Sequence, residues 1–167
     1  MEDIQHDAGV SGSQLYHYFA NKRDLIEAVI TAQTEVVLAN ELIANISSLQ
    51  DLRRWRDAVV DAARRLGHRA GCPLAALAEQ IRDTDPSMLD LVAAGLRQLT
   101  DLVAKGLDTI CARGELHADT DTARLAVAMV TAYEGGLLVA RIQRDVSALE
   151  VALDTVIDVI ETYSSRP

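Results

Sequence analysis

The chain has 167 residues, 49% apolar and 25% charged, with 9 Gly and 3 Pro, a globular balance that excludes collagen-like, low-complexity and wholly disordered classes. With 16 basic against 25 acidic residues the net charge is −9, so the molecule as a whole is repelled by nucleic acid and by anionic membranes, and any contact with DNA has to be local. One domain or a little more is expected, and Cys72 and Cys111, with neither CxxC nor metal-ligand spacing, read as reduced, buried thiols.

Helical periodicity dominates and no stretch alternates as a half-buried strand would, which predicts an all-α fold. A short helix is expected over about 3–8, halted by Gly9, and Ser11 then stands as N-cap of a second short helix ending near Tyr18. Asn21 reads as the next cap, with Asp24 at the third helical position of a long helix over about 22–46. After Ser47-Ser48, a third major helix carries Leu52, Trp55, Val59, Ala63 and Leu66 as one stripe, opposed by Arg53, Arg54, Arg56, Arg64 and Arg65. Asp51, Asp57 and Asp61 alternate with those arginines, so the face reads as solvated and ion-paired rather than as a second nucleic-acid surface.

Gly67 and Gly71-Cys72-Pro73 end that helix, and a short one runs from Leu74 to about 82. Asp85-Pro86 then supplies a cap and a first-turn proline for a long helix carrying Val92, Leu96, Leu99, Val103, Leu107 and Ile110 up to Gly114. The last two helices are expected over about 120–144 and 147–164. The first is apolar almost all round from Leu125 to Ile142 and has to be covered on every side, by its own core and by a second subunit. The second carries Leu149, Leu153, Val156, Ile160 and Tyr163, widened by Val146, Val151, Ile157 and Val159. Together they predict a symmetric four-helix dimer interface that a charge at Leu153 would disperse. Gly135-Gly136 costs about 1 kcal/mol per residue relative to alanine, which close helix approach at that interface would explain. The apolar run between Arg124 and Arg141, broken by Glu134, falls short of the ~20 residues a bilayer requires. The N-terminus lacks the charged and apolar regions of a signal peptide, so a cytoplasmic protein with no membrane partner is expected.

The segment Ala8-Gly9-Val10-Ser11-Gly12-Ser13-Gln14-Leu15-Tyr16-His17-Tyr18-Phe19, followed by Asn21-Lys22, concentrates the recognition chemistry. Gly9 permits a tight turn between two short helices while Val10 and Leu15 pack inward, which is a helix-turn-helix. Its second helix presents short hydrogen-bonding and aromatic groups suited to base edges, thymine methyls and phosphates. At these residues the sequence resembles the TetR family of transcriptional repressors, with its Gly-Val-Ser turn, Leu-Tyr-x-Tyr/His-Phe recognition helix and capped lysine at the start of the next helix. Gly71-Cys72-Pro73-Leu74 and Ala112-Arg113-Gly114-Glu115-Leu116 also look like one branch of that family.

The resemblance implies a homodimeric repressor with a DNA-binding part over 1–46 and a ligand-binding and dimerisation part over 47–167, whose ligand moves the two heads out of register. It places Ser11, Gly12, Ser13 and Gln14 at the groove-facing start of the recognition helix, Tyr16, His17 and Tyr18 at bases or backbone, and Lys22 at a phosphate. For Lys22 the chemistry agrees independently, because a helix N-terminus already favours an anion. Two features depart from the family. The helix that precedes its helix-turn-helix is lacking, so the head is expected to be incomplete, through a late start assignment, a trimmed chain or a real truncation. Gln5 stands where the family has a small residue, and Glu2, Asp3 and Asp7 add negative charge beside the head.

The resemblance also implies a pocket among the helices of about 50–113, floored by the last pair. Trp55, Val59, Leu99 and Val103 would line it, with Tyr133 as polar handle for a small apolar or aromatic effector. No cofactor or metal is expected, since His17 has no second ligand at a matching spacing. Phosphate-binding loops, HExxH and the nucleophile elbow are all missing, so an enzyme reading fares poorly. Glu134 is an isolated acid in a dry setting, placed as well to orient a ligand as to catalyse. The alternative function is a headless ligand-binding and dimerisation module that does not itself bind DNA.

Overall fold

The computed structural model describes residues 7, 9–67, 71–81 and 85–165. Among these there are eight α-helices and no strand, in keeping with the all-α expectation. The helix expected over about 3–8, Gln5 included, falls almost wholly outside the described residues. Gly9 follows it with φ +64°, a left-handed turn open to glycine at no steric cost.

Helix α1 (Gly12–Tyr18) begins with a complete capping box: Ser11 Oγ accepts from Gln14 N at 3.2 Å and Gln14 Oε1 accepts from Ser11 N at 2.8 Å. Helix α2 (Lys22–Leu38) is capped by Asn21, whose Oδ1 accepts from Asp24 N at 3.0 Å. The single helix expected over about 22–46 is in fact two. The chain leaves α2 at Ala39, and Asn40 caps a four-residue helix α3 (Glu41–Ala44) by accepting from Leu42 N at 3.0 Å. An asparagine that satisfies a free amide makes a new helix start a better solution than continuing the old one.

Helix α4 (Leu49–Leu66) follows a Ser48 cap, and α5 (Pro73–Ile81) precedes a single 3-10 turn at Pro86–Met88 that leads into α6 (Leu89–Ala112). Asp85 does not cap this turn. Its carboxylate accepts instead from Ser87 Oγ at 2.5 Å and from Arg23 of α2 at 2.6 Å, which ties the first part of the chain to the second. Helices α7 (Thr122–Gln143) and α8 (Ser147–Glu161) complete the fold and make its most extensive helix pair, with α6 on α7 next and α2 on α6 after it.

The core runs along α6, where Val92, Leu99, Val103, Leu107 and Ile110 are buried, and meets Leu52 and Trp55 of α4, Met129 of α7 and Leu149, Leu153, Ile157 and Ile160 of α8. Two glycines allow the close approaches. A Cβ on Gly95 would stand 2.7 Å from Thr34 Oγ1, and one on Gly136 would stand 2.9 Å from Leu149 Cα. The glycine pair thus serves packing of α7 on α8 within one chain, and only through Gly136, since a Cβ on Gly135 would meet nothing within 4 Å.

The arginine face of α4 is ion-paired, but mostly in a way the sequence reading did not foresee. Besides the local pairs Arg54–Asp51 and Arg64–Asp61, Arg53 reaches Asp158 at 2.5 Å and Glu161 at 2.7 Å. Arg56 reaches Asp154 at 2.6 Å, and Arg64 reaches Glu150. Four acids along one face of α8 therefore clamp α4.

The dimer-seam expectation needs one correction. Leu153 is fully buried in its own chain, as are Leu149 and Ile160, so that stripe is core. The apolar surface left uncovered is the other face: Val127, Leu138, Val139 and Ile142 of α7 with Val151 and Val159 of α8. At 22 residues, α7 is also long and apolar enough to cross a membrane by length and composition alone, Glu134 notwithstanding. It packs between α6 and α8.

Candidate functional site

Two regions hold the predicted site residues. In the first, the capping box turns α1 so that Leu15 is buried while Ser11, Ser13, Gln14, Tyr16, His17 and Tyr18 face solvent, with Gly12 half-buried. Tyr16 is 54% and Tyr18 78% exposed, which is costly for aromatic rings unless something covers them. His17 meets Tyr18 edge-on with ring centroids 5.2 Å apart. Ser11 and Gln14, placed among the base-facing groups, spend their side chains on the capping box, and Ser11 Oγ also lies 3.0 Å from Ser13 Oγ. Lys22, exposed at the start of α2, forms no ion pair among the described residues, whereas its neighbour Arg23 is held by Asp85. An apolar hollow of about 620 Å³ runs beneath α1 between Val10, Leu15, Phe19 and Leu25.

The second region lies between α3, α4, α5 and α7. Trp55 and Val59 of α4 and Tyr133 of α7 line one cavity of about 170 Å³, together with Leu42, Leu66 and Leu137. The rings of Trp55 and Tyr133 are 5.5 Å apart and tilted by 56°, an arrangement aromatic pairs favour. Leu99 and Val103 are not part of this wall. Each is 1% exposed, because the face of α6 that carries them turns into the core.

Behind Tyr133 lies a larger cavity of about 460 Å³, lined by Gly71, Cys72, Ala75, Ala76 and Glu79 of the α5 side and by Glu134, Gly135, Leu137, Leu138 and Arg141 of α7. Gly71 and Leu137 line both spaces, so the two adjoin. Burial pushes the Glu134 carboxyl above the ordinary carboxylate range, and only the neighbouring Cys72 thiol opposes the shift. Its Oε1 is buried without a hydrogen-bond partner. Burial and the facing carboxyl push the Cys72 thiol up to about 12, the opposite of what a reactive thiolate requires. Tyr133 is raised as well, chiefly by burial, so its hydroxyl is a neutral donor at physiological pH. The sequence signal for this second cavity was Glu134 itself, an acid inside an apolar helix; its partners on α5 could not be read from periodicity.

The comparisons with known proteins agree with this layout. Residues 1–29 match the family of bacterial regulatory proteins of the tetR type, and residues 48–156 match the tetracyclin repressor-like C-terminal domain. An HTH-type transcriptional regulator of Mycobacterium tuberculosis is 30% identical over 164 residues, covering 90% of this chain and 78% of that protein. The transcriptional regulator AcuR of Cereibacter sphaeroides is 28% identical over 151 residues, covering 86% and 67%. Among solved structures, the regulatory protein TetR from Rhodobacter sphaeroides superposes with a TM-score of 0.79 at 25% identity, covering 94% of this chain and 85% of that one. A TetR-family regulator from Agrobacterium tumefaciens gives 0.78 at 24%, covering 95% and 85%. The matched families and relatives are transcriptional regulators rather than enzymes. With the helix-turn-helix at one end and the matched C-terminal domain over most of the remainder, the chain belongs to the TetR family of transcriptional regulators.

Proposed function

We propose that this chain is a cytoplasmic repressor that binds operator DNA as a homodimer and releases it when a small apolar or aromatic effector enters the cavities beside Trp55 and Tyr133. In this reading residues 1–46 serve DNA and residues 47–167 serve the effector and the partner subunit. The single observation that carries the reading is the exposure of Tyr16 and Tyr18 on α1: two aromatic rings are held out by a helix whose N-terminus a complete capping box already satisfies, with Lys22 exposed at the start of the helix that follows. Such groups suit thymine methyls, base edges and a phosphate. Ser13, Tyr16 and His17 share one face of α1 by their three- and four-residue spacing, whereas Ser11 and Gln14 contribute to DNA through the turn they fix.

The test uses the purified dimer and DNA from upstream of its own gene, followed by fluorescence anisotropy across a salt series. Tyr16→Ala should weaken binding to the preferred site by about 1–3 kcal/mol while leaving non-specific binding nearly unchanged, and Lys22→Ala should weaken all sequences alike and flatten the salt slope. A dimer that shows no salt-sensitive binding to that DNA favours the alternative, a ligand-binding and dimerisation module without a DNA activity of its own.

A further inference from the structure

Effector response, as proposed above, leaves open what chemistry the effector carries, and the two adjoining cavities bear on it. One is walled by the Trp55–Tyr133 ring pair and aliphatic side chains. At about 170 Å³ it is of the size that admits a single benzene-like ring, since apolar cavities of roughly 150 Å³ do so. The other cavity holds Glu134, Glu79 and Arg141 as its charged lining. Glu134 is the unusual member. Its Oε1 is buried with no hydrogen-bond partner, and it forms no ion pair among the described residues. A buried, unpartnered carboxylate oxygen is expensive and is ordinarily matched by a donor.

We propose that the effector site spans both cavities and takes a cationic amphiphile, an aromatic or aliphatic body bearing a protonated amine, with the body against Trp55 and Tyr133 and the ammonium on Glu134.

Three features favour a cation over a neutral or acidic ligand. Among the described residues the charged lining of the larger cavity is Glu134, Glu79 and Arg141, and Glu79 has a partner of its own, which leaves Glu134 as the carboxylate open to a ligand. The Trp55–Tyr133 ring pair lines the other cavity, and aromatic rings attract an ammonium resting beside them. The acceptor lacking a partner is the carboxylate, and an ammonium supplies donors where a carboxylic acid ligand would bring a second negative charge within reach of it. Glu134 lines the larger cavity, and a turn about its last side-chain bond, which is soft and roughly two-fold for glutamate, exchanges its two oxygens. The titratable and charged groups around Glu134 are Cys72 just before α5, Tyr133 on its own helix, and Glu79 and Arg141 in the shared cavity lining. Cys72 and Tyr133 are protonated at neutral pH because burial raises them, and Arg141 lines the same cavity without an ion pair to Glu134 among the described residues.

Trp55 is the single tryptophan of the chain, so its emission reports occupancy directly. The probes are phenethylammonium, its neutral counterpart phenylpropanol, and phenylpropionate, each titrated into the dimer. Phenethylammonium should change Trp55 emission at the lowest concentration, and Glu134→Gln should weaken it at least tenfold while leaving phenylpropanol within twofold. In the parent protein, affinity for the amine should rise as pH increases through the Glu134 titration, because the bound ammonium selects the ionised carboxyl, and Glu134→Gln should remove that dependence. Tighter binding of phenylpropionate, amine binding unaltered in Glu134→Gln, a flat pH profile in the parent, or silence from all three probes would each overturn the proposal. Because the inference rests on the effector-responsive reading, operator DNA is followed in the same samples. Amine binding without DNA release keeps the site and removes its regulatory role, whereas DNA binding with no response to the amine removes the site and keeps the regulator.

Discussion

At the scale of single residues, burial decides the chemistry around Glu134 in the C-terminal part of the chain. Glu134 illustrates how: removed from water and given no cation, it is harder to ionise in the folded chain than in the unfolded one. The sign of the consequence is fixed. The folded state holds the proton to higher pH, so the group is without effect on stability below its unfolded titration, increasingly destabilising as pH rises from there to the folded titration, and constant above it. Glu134→Gln should therefore melt higher than the parent near pH 7.5, by a few degrees if the orphaned acceptor costs on the order of 1 kcal/mol, with the gap closing toward pH 4. Thermal unfolding of the ligand-free protein at the two pH values checks this, and equal melting temperatures at pH 7.5 would mean that the carboxyl is solvated. The acid was legible in the sequence as an isolated charge in an apolar run. Its pairing with Cys72 was not, because Cys72, just before α5, and Glu134 of α7 lie far apart in the chain and periodicity carries no information about which elements meet. Ser11 and Gln14 show the reverse case: the capping role of Ser11 was readable from its place before a short helix, and the Ser-x-x-Gln spacing is what its complete capping box with Gln14 requires.

At the scale of elements, the helices expected from periodicity over the described residues are present, except that the one over about 22–46 is two, while the way they are fastened together was only partly visible. The break after α2 turns on Asn40, a cap that a run of apolar residues on both sides concealed. The clamp between α4 and α8 was half legible: the arginines of α4 stood out, but the four-residue spacing of Glu150, Asp154 and Asp158 drew no attention beside the apolar stripe of the same helix. These pairs are partly exposed, so each is worth little alone. Removing the arginine at one end of the clamp, which reaches Asp158 and Glu161, with Arg53→Ala should lower stability by no more than about 1 kcal/mol, and the loss should shrink in high salt. The glycine pair in α7 makes a sharper prediction. Gly136→Ala sets a Cβ at 2.9 Å from Leu149 Cα, where backbone has to move, and should destabilise by about 1–3 kcal/mol. Gly135→Ala meets nothing within 4 Å in its own chain and should stabilise the helix by up to ~1 kcal/mol. Opposite shifts in urea midpoint are the expected result. If both variants lost stability alike, the space beside Gly135 would be filled by a second subunit.

For the whole molecule, charge and apolar surface point in different directions, and the proposed dimer would reconcile them. In that reading a chain of net charge −9 gains no general attraction to DNA and has to present two local heads at once, from a dimer of fixed geometry. The exposed apolar side chains able to build it lie on α7 and α8, where Ile142 is 70% and Val151 64% exposed, surface that single chains rarely leave bare. Sequence periodicity showed that these two helices carry more apolar surface than one core can absorb, but could not say which stripe faces inward. The folded chain resolves this by packing Leu149, Leu153 and Ile160 inward. A charge at Leu153 therefore tests folding, not association. The informative substitutions are Ile142→Glu and Val151→Glu, which place a carboxylate on solvent-facing positions of the protomer and beneath apolar surface in the dimer, where an unpaired charge costs several kcal/mol. Each should leave helical circular dichroism and monomer melting intact and shift the mass measured by light scattering from dimer to monomer at micromolar concentration. A dimer that persists with both substitutions present would place the interface on another face. Monomers that also lose specific DNA binding while keeping the Trp55 response to an amine would show that the two heads act together and the ligand cavities act singly.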